Sequence, residues 1–409
     1  MKTFLFMVVC LMLACSVMAS QPAEFLISYW CGPMPDQTTA EAYKEVADAN
    51  FNVAMPPCAA VSLDLNRKIL DLCKLQGMTA IIADDRIMAK SPDDKDFAAN
   101  LDAVIADYGS HPALYGYFLR DEPNAADFPR LGAVNQYLLK KDPKHLPYIN
   151  LFPNYASQEQ LGNPTYEEHV KQYIEVVKPV LVSYDHYALV GDQEREIWWD
   201  NLETVRRQCL AHDLPFVVII LSLPHGGYRN PTEADLRWQA YTSLAYGAKG
   251  IMYFTYWTPS PQEEWKYDNA IVSYTGKRTE HYPMVKRLNA EMKSLGRVLV
   301  GLKSTGVFHT GKTPMSTTPH GEGSLIATKD QDLVIGEFVG EKSSKYVMVV
   351  NRDLRKSRDV IFTVAKASKV IEILKSGGQA TVAEGEYAVD LPVRLRFEGG
   401  EGRLFKIVR

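Results

Sequence analysis

LYGYFLRDEPNAADFPRLGAVNQYLLKKDPKHLPYINL, residues 114–151, holds two short apolar runs, 114–119 and 146–151, separated by turn residues and a longer amphipathic stretch. Runs of five or six apolar residues suit buried strands, and the stretch between them is long enough for a helix that crosses over to a parallel neighbour. The same alternation extends in both directions. Further strand-like runs lie at 25–31, 51–55, 78–83, 180–184, 216–221 and 250–256, eight in all with the first two. Helix candidates between them carry start signals: Thr38 before AEAYKEVADAN, Ser91-Pro92 before DDKDFAANLDAVIADYG, and Asn230-Pro231-Thr232 before EADLRWQAYTSLAYG. Hydroxyl caps and early acidic residues favour helix N-termini. Eight such units predict a (β/α)8 TIM barrel over an open doubly wound sheet, and no GxGxxG fingerprint supports a nucleotide fold.

The last helix of this series falls near 282–295, and beyond residue 304 the pattern changes. SLIATK, LVIGEFV, KYVMVVNRD, DVIFTVA and GRLFKIVR are short and broken by Gly, Asp, Asn and Lys turns, as in an antiparallel β-sandwich. The expected organisation is a barrel over 20–303 and a smaller sandwich over 304–409. Residues 1–19 read as a secretory signal, with Lys2, an apolar run from Phe4 and small residues at Val17 and Ala19. A rival reading takes Leu13-Ala14-Cys15 as a lipoprotein box with a lipid on Cys15. Either predicts an exported protein, periplasmic or extracellular. No other apolar run is long enough for a membrane span.

The 409 residues are 46% hydrophobic with a formal charge of −4, a globular composition without the basic field that nucleic acid demands. Beyond the leader remain Cys31, Cys58, Cys73 and Cys209, with no metal-ligand spacing. They are expected to be buried free thiols, although an oxidising compartment allows a bridge. No cofactor or metal is expected.

In a barrel of this kind the residues that follow each strand form the active face. Here they are Trp30 and Cys31; Asp84, Asp85 and Arg86; Arg120-Asp121-Glu122-Pro123; Asn154 and Tyr155; Asp185-His186-Tyr187; His225-Gly226-Gly227-Tyr228; and Tyr256-Trp257. Carboxylates, histidines and aromatics in one ring suit sugar chemistry: an acid must protonate the leaving oxygen, and a second carboxylate must act as nucleophile or activate water. Glu122, Asp121 and Asp185 are the candidate catalytic groups. Trp30, Asp84, Asn154, His186, Tyr187, His225, Tyr256 and Trp257 are candidate substrate contacts. For Asp84, Asp121 and the histidines, helix capping or ion pairing is the structural alternative, and for the aromatics core packing. Of Trp198 and Trp199, on the helix after the sixth strand, at least one is expected to supply helix packing.

GYFLRDEP resembles the fourth-strand motif of (β/α)8 glycoside hydrolases, in which a Glu followed by Pro is the general acid/base. Residues 25–300 resemble secreted bacterial proteins loosely called family 42-like β-galactosidases, and the terminal sandwich fits that resemblance. The resemblance implies a β-hexoside in an oligo- or polysaccharide as substrate, with Glu122 as acid/base. The Asp-Glu pair is also similar to that of substrate-assisted β-N-acetylhexosaminidases, which implies an orienting role for Asp121. The sequence departs from the large clan at the seventh strand, where IILSLPHGGY has no nucleophilic Glu. Asp185 as second carboxylate, or substrate assistance with Asp121, are the two ways to complete the chemistry. Two other classes compete: a metal-dependent hydrolase or isomerase with Asp84, Glu122, Asp185, His186 and His225 around one ion, and a non-catalytic carbohydrate-binding barrel.

Overall fold

The computed structural model describes residues 24–88, 91–260, 266–386 and 389–409. The leader reading and Cys15 lie outside them. Eight parallel strands form one sheet: β1 Leu26–Tyr29, β2 Val53–Ala54, β3 Thr79–Ala83, β4 Leu114–Asp121, β5 Leu146–Leu151, β6 Val182–Asp185, β7 Phe216–Leu221 and β8 Gly250–Phe254. Each is followed by a helix of nine or more residues, the last spanning His281–Leu299. Each of the eight strands overlaps its expected run, because strands covered on both faces are continuous apolar segments, and two extend past it, β4 to Asp121 and β6 to Asp185.

The sheet closes through one residue. β1 pairs with β8, while Asn52, just before β2, accepts from the Ile27 N–H through Oδ1 at 2.8 Å and donates to the Phe25 carbonyl at 2.9 Å. The Asn52 N–H adds a bond to the Ile27 carbonyl at 3.1 Å. The amide thus supplies the hydrogen bonds that a two-residue strand is too short to provide.

Two helix starts shift from their expected places. Thr39 caps Ala40–Asp48 by accepting from the Ala42 N–H, while Thr38 donates back to the Met34 carbonyl. Phe97–Tyr108 begins after a run of turns in which the Ser91 N–H donates to the Asp94 carboxylate. Thr232 caps Glu233–Ala245 through a reciprocal box with Asp235, as its sequence predicts.

The assignment of four free thiols is corrected. Cys31 and Cys58 form a disulfide with Cα atoms 4.7 Å apart, and only Cys73 and Cys209 stay buried and free. Adjacent strands β1 and β2 deliver the two cysteines to one edge of the barrel mouth, a proximity that a separation of 27 residues does not reveal. A crosslink over such a loop contributes about 3.5 kcal/mol in the chain-entropy account.

The C-terminal part is a seven-stranded sheet, mainly antiparallel, facing a two-stranded sheet of Arg358–Val364 and Leu391–Phe397. Phe362, Val364 and Val393 of the small sheet pack on Ile335, Val347 and Phe405 of the large one. The expected strand at SLIATK is replaced by one bridge between Ala327 and Thr363, because the Glu337 carboxylate takes the Ser324 hydroxyl and Leu325 N–H. Helix Glu233–Ala245 lies between barrel and sandwich, with every residue from Leu236 to Ala245 buried except Arg237 and Trp238 stacked on Trp198. Gly336 of the sandwich passes so close to the Ala245 carbonyl that no Cβ fits there. Trp198 and Trp199 are both buried, consistent with the packing role expected of at least one of them.

Asn52→Ala should lower the unfolding free energy by about 2–3 kcal/mol, since it strands a buried donor and acceptor at the seam. Urea unfolding against wild type checks this; an unchanged midpoint would remove Asn52 as the closing element.

Candidate active site

β4, β5 and β6 carry a polar ladder across the mouth of the barrel. Asp121, Asn150 and Ser183 are neighbours in register, and Asp185 stands two residues further along the face that bears Ser183. The Asn150 amide nitrogen donates to both Asp121 (3.1 Å) and Asp185 (2.8 Å). The Ser183 hydroxyl donates to the Asn150 side-chain oxygen Oδ1 at 3.1 Å and meets the Tyr148 hydroxyl at 2.8 Å, which fixes the amide's orientation.

Glu122 enters this group through an irregular backbone. The register of β4 on β5 slips between Phe118 and Arg120, and Glu122 has φ of 43°, the left-handed region that costs a non-glycine residue about 1–2 kcal/mol. Its N–H donates to the Asn150 carbonyl at 2.8 Å, which holds that conformation. The slip and the turn of the chain bring consecutive residues 121 and 122 into one cavity, where an ideal strand would separate them. There Glu122 and Asp185 lie close enough for each to shift the other's proton affinity.

A cavity of about 260 Å³ contains all three carboxyls. Trp30, Tyr155, Tyr187, Tyr228, Phe254 and Tyr267 supply its rings, and Asn150, Gln160 and His225 add polar groups. Tyr187 packs against Phe254 at 5.0 Å between ring centres and edge-on against Tyr228 at 5.5 Å. Gly226 and Gly227, with φ of 48° and 93°, make the turn that brings the Tyr228 N–H back to the His225 carbonyl at 2.7 Å. The His225 Nδ1 lies 2.7 Å from the Leu223 carbonyl, and burial lowers its proton affinity.

The carboxyls hold their protons unusually tightly. Asp121 reaches solvent through the cleft, yet the surrounding protein pushes its pKa up to about 6. Glu122 is pushed up to about 7, first by desolvation and then by the negative charge of Asp121, against a smaller downward pull from Asp185. Asp185, only 4% exposed, is raised by burial and by its two acidic neighbours. Three acids in one poorly solvated space cannot all ionise near neutrality.

Of the residues expected at the site, Glu122, Asp121, Asp185, Trp30, Tyr187 and His225 line the cavity. Five do not, and each has a physical reason. Asp84 is held by the Arg86 guanidinium at 2.8 and 2.9 Å and by the Tyr108 hydroxyl at 3.0 Å; burial pushes its pKa up, but these donors win and it ends lowered. Asn154 ties its loop to the Ile197 carbonyl and the Asp200 carboxylate. His186 is fully buried, with Nδ1 2.9 Å from the Asn201 side-chain oxygen and a pKa lowered to about 3 by desolvation. Tyr256 packs against Tyr29 and Phe51, and the Trp257 indole N–H donates to the Tyr274 carbonyl. Both follow β8 but continue its pairing, donating from their backbone N–H groups to Trp30 and Cys31.

The five-residue metal set is therefore not assembled, since Asp84 and His186 face elsewhere. Among the described residues no group of three His, Cys, Asp or Glu is arranged to hold an ion. Sequence reasoning missed Asn150, Gln160, Phe254 and Tyr267. For Asn150 the signal was present: it is the polar interruption in the apolar run LPYINL.

No family model matches this chain, and no curated protein does. Its fold is shared with glycoside hydrolases of known structure. A β-galactosidase from Bacillus circulans sp. alkalophilus superposes with a TM-score of 0.64 at 10% identity, over 94% of this chain and 99% of that one. A glycoside hydrolase family 5 protein from Bacteroides vulgatus gives 0.59 at 12% identity, over 94% and 89%. A β-galactosidase from the psychrophilic Marinomonas ef1 gives 0.52 at 11% identity, over 69% of this chain and 63% of that one. Identities this low establish the shared architecture and carry no residue role across.

The raised acids predict a stability effect with a definite sign. A carboxyl whose pKa is higher folded than unfolded favours the native state while protonated, and that contribution is lost as pH rises from about 4.5 through about 7. Glu122→Gln should therefore melt a few degrees above wild type at pH 8 and show little difference at pH 5, by differential scanning fluorimetry. Equal melting temperatures at both pH values would count against a strained carboxyl at 122.

Proposed function

We propose that this protein is an exported glycoside hydrolase acting on a β-hexoside, with Glu122 as general acid/base. The observation that carries the proposal is the meeting of three carboxyls at the C-terminal ends of barrel strands, in one aromatic-walled cavity where Glu122 stays protonated near neutral pH. General acids work best when their pKa lies near the working pH, and rings with polar neighbours suit the faces and hydroxyls of a pyranose. The shared architecture of the solved glycoside hydrolases supports the same class. The disulfide is consistent with export to an oxidising compartment, in solution or on a lipid anchor at Cys15.

Roles divide by position. Asp185 is almost fully enclosed, accepts from the Asn150 amide and acts electrostatically on Glu122, so it tunes the acid. Asp121 opens onto the cleft and ionises above about pH 6, so it is the second carboxylate, facing the positive charge that develops on the sugar ring. In this reading Asp121 takes the place that Asp185 holds in the alternative pairing with Glu122, and the separation of the working carboxyls decides the outcome, about 5–5.5 Å for retention and 6.5–9.5 Å for inversion. As the glycosidic C–O bond breaks, the Glu122 proton passes to the departing oxygen, which leaves as an alcohol. Water then adds to the anomeric carbon and returns a proton to Glu122.

Incubation of wild type and Glu122→Gln with a panel of β-galactosides, β-glucosides and β-N-acetylglucosaminides, followed by chromatography, tests the assignment. Loss of about 10²–10⁴ in kcat/KM in a folded Glu122→Gln protein is expected; equal release by both would remove Glu122 from the chemistry. Saturable sugar binding without release by wild type would favour the non-catalytic reading. In the pH profile, activity should fall as pH rises through about 7, where Glu122 loses its proton. Asp121→Asn removes the charge that raises Glu122, so the residual activity should fall at a lower pH; an unmoved alkaline limb would contradict their coupling.

A further inference from the structure

A second cavity, of about 330 Å³, adjoins the first and shares two residues with it, Trp30 and Asp121. Its other walls are the Cys31–Cys58 disulfide, Met55, Pro56, Val61 and Phe118. The two compartments differ sharply in chemistry. The carboxylate cavity offers an amide, tyrosine hydroxyls and a histidine, the array that a sugar's hydroxyls need. The second offers, among its side chains, only the Trp30 indole N–H and the carboxylates of Asp85 and Asp121 at polar positions. A pyranose there would find fewer partners for its hydroxyls than in the carboxylate cavity, only Asp85, Asp121 and the indole N–H among the side chains.

We propose that this groove is the leaving-group subsite and that it takes an apolar aglycone, an alkyl or aryl group, in place of a second sugar. The inference rests on the glycosidase reading above. Asp121 stands at the junction of the two compartments, so a bond broken beside the carboxyls has its sugar in the polar cavity and its alcohol portion in the apolar one. The groove is also held in shape. Trp30 is fixed through its N–H to the Tyr253 carbonyl at 2.8 Å and its carbonyl to the Tyr256 N–H at 2.9 Å. The Gly32 N–H donates to the Pro56 carbonyl at 2.9 Å, and Gly32 lies so near the Met55 carbonyl that any Cβ would collide. With the disulfide, these contacts hold the β1 and β2 loops together as one rigid wall.

The test uses the full-length protein and the cleaved sugar from the panel above as its methyl and n-hexyl glycosides, whose leaving alcohols have similar acidity. Hexyl should exceed methyl in kcat/KM by about tenfold or more, since each buried methylene favours binding severalfold. Ala60→Asp at the exposed rim and Val61→Asp in the wall should each bring that ratio toward one. Direct binding of 1-naphthol, followed by its fluorescence, reads the groove without turnover and should weaken in both variants. Cleavage with a flat hexyl-to-methyl ratio would overturn the aglycone subsite and leave the glycosidase reading intact. Absence of all cleavage, with naphthol binding that depends on residues 60 and 61, would sink the glycosidase reading and support an apolar site. Naphthol binding unaffected by either variant would overturn the groove assignment.

Discussion

A β-strand aims alternate side chains at opposite faces, and the chemistry of this barrel depends on breaking that rule at residues 118–122. One slip of register on β5 and one left-handed residue bring Asp121 and Glu122 into the same cavity. The carbonyl that holds the Glu122 backbone belongs to Asn150, whose side-chain amide in turn spans Asp121 and Asp185. A single residue of β5 thus fixes both the irregular backbone and the carboxyls it delivers. Strained conformations persist where the surroundings over-determine them, and here the constraints arrive from two adjacent strands.

The amide does this because its own orientation is fixed. Ser183 occupies its oxygen, so the nitrogen must point at the acids, and Tyr148 in turn engages Ser183 from deeper in the barrel. The Tyr148 hydroxyl also lies 3.3 Å from the Met252 sulfur, so the chain of contacts runs from β8 to the rim of β4. Polar groups in a low-dielectric interior are costly unless satisfied. This ladder satisfies most of its members with one another and leaves the carboxyls facing the open space, where their shared reluctance to ionise becomes useful.

The eight strands were legible because parallel strands covered on both sides read as unbroken apolar runs. The sandwich was less so: Leu391–Phe397 alternates arginines with apolar residues and Lys303–His309 opens on the polar residues Lys303, Ser304 and Thr305, each a weaker signal than a continuous apolar run. At the site, position after a strand identified the carboxyls correctly but said nothing of where each side chain turns. Asp84 and His186 follow strands β3 and β6 just as expected, yet Arg86 and Asn201 draw them into the wall. Tyr256 and Trp257 illustrate the same limit, since backbone pairing beyond β8 carries them over β1. Asn150 was hidden because a polar residue within an apolar run reads as a flaw in the strand, when its burial requires specific partners.

Helix Glu233–Ala245 joins the two parts in a way that constrains the history open to this chain. Most surface helices keep a stripe for water, and such a stripe lets a lineage discard or exchange whatever once lay against it. This one is enclosed along nearly its whole length, with Trp238 and Tyr241 against the backbone of Gly400 and Gly402 and Ala245 against Gly336. Loss of the C-terminal sheets would lay bare the apolar flank of a barrel helix, so recombination at the Leu299–Lys303 junction yields two fragments that each need repair. The barrel and its sandwich therefore cover each other's apolar surface, and a cut between them would expose a face that each needs buried.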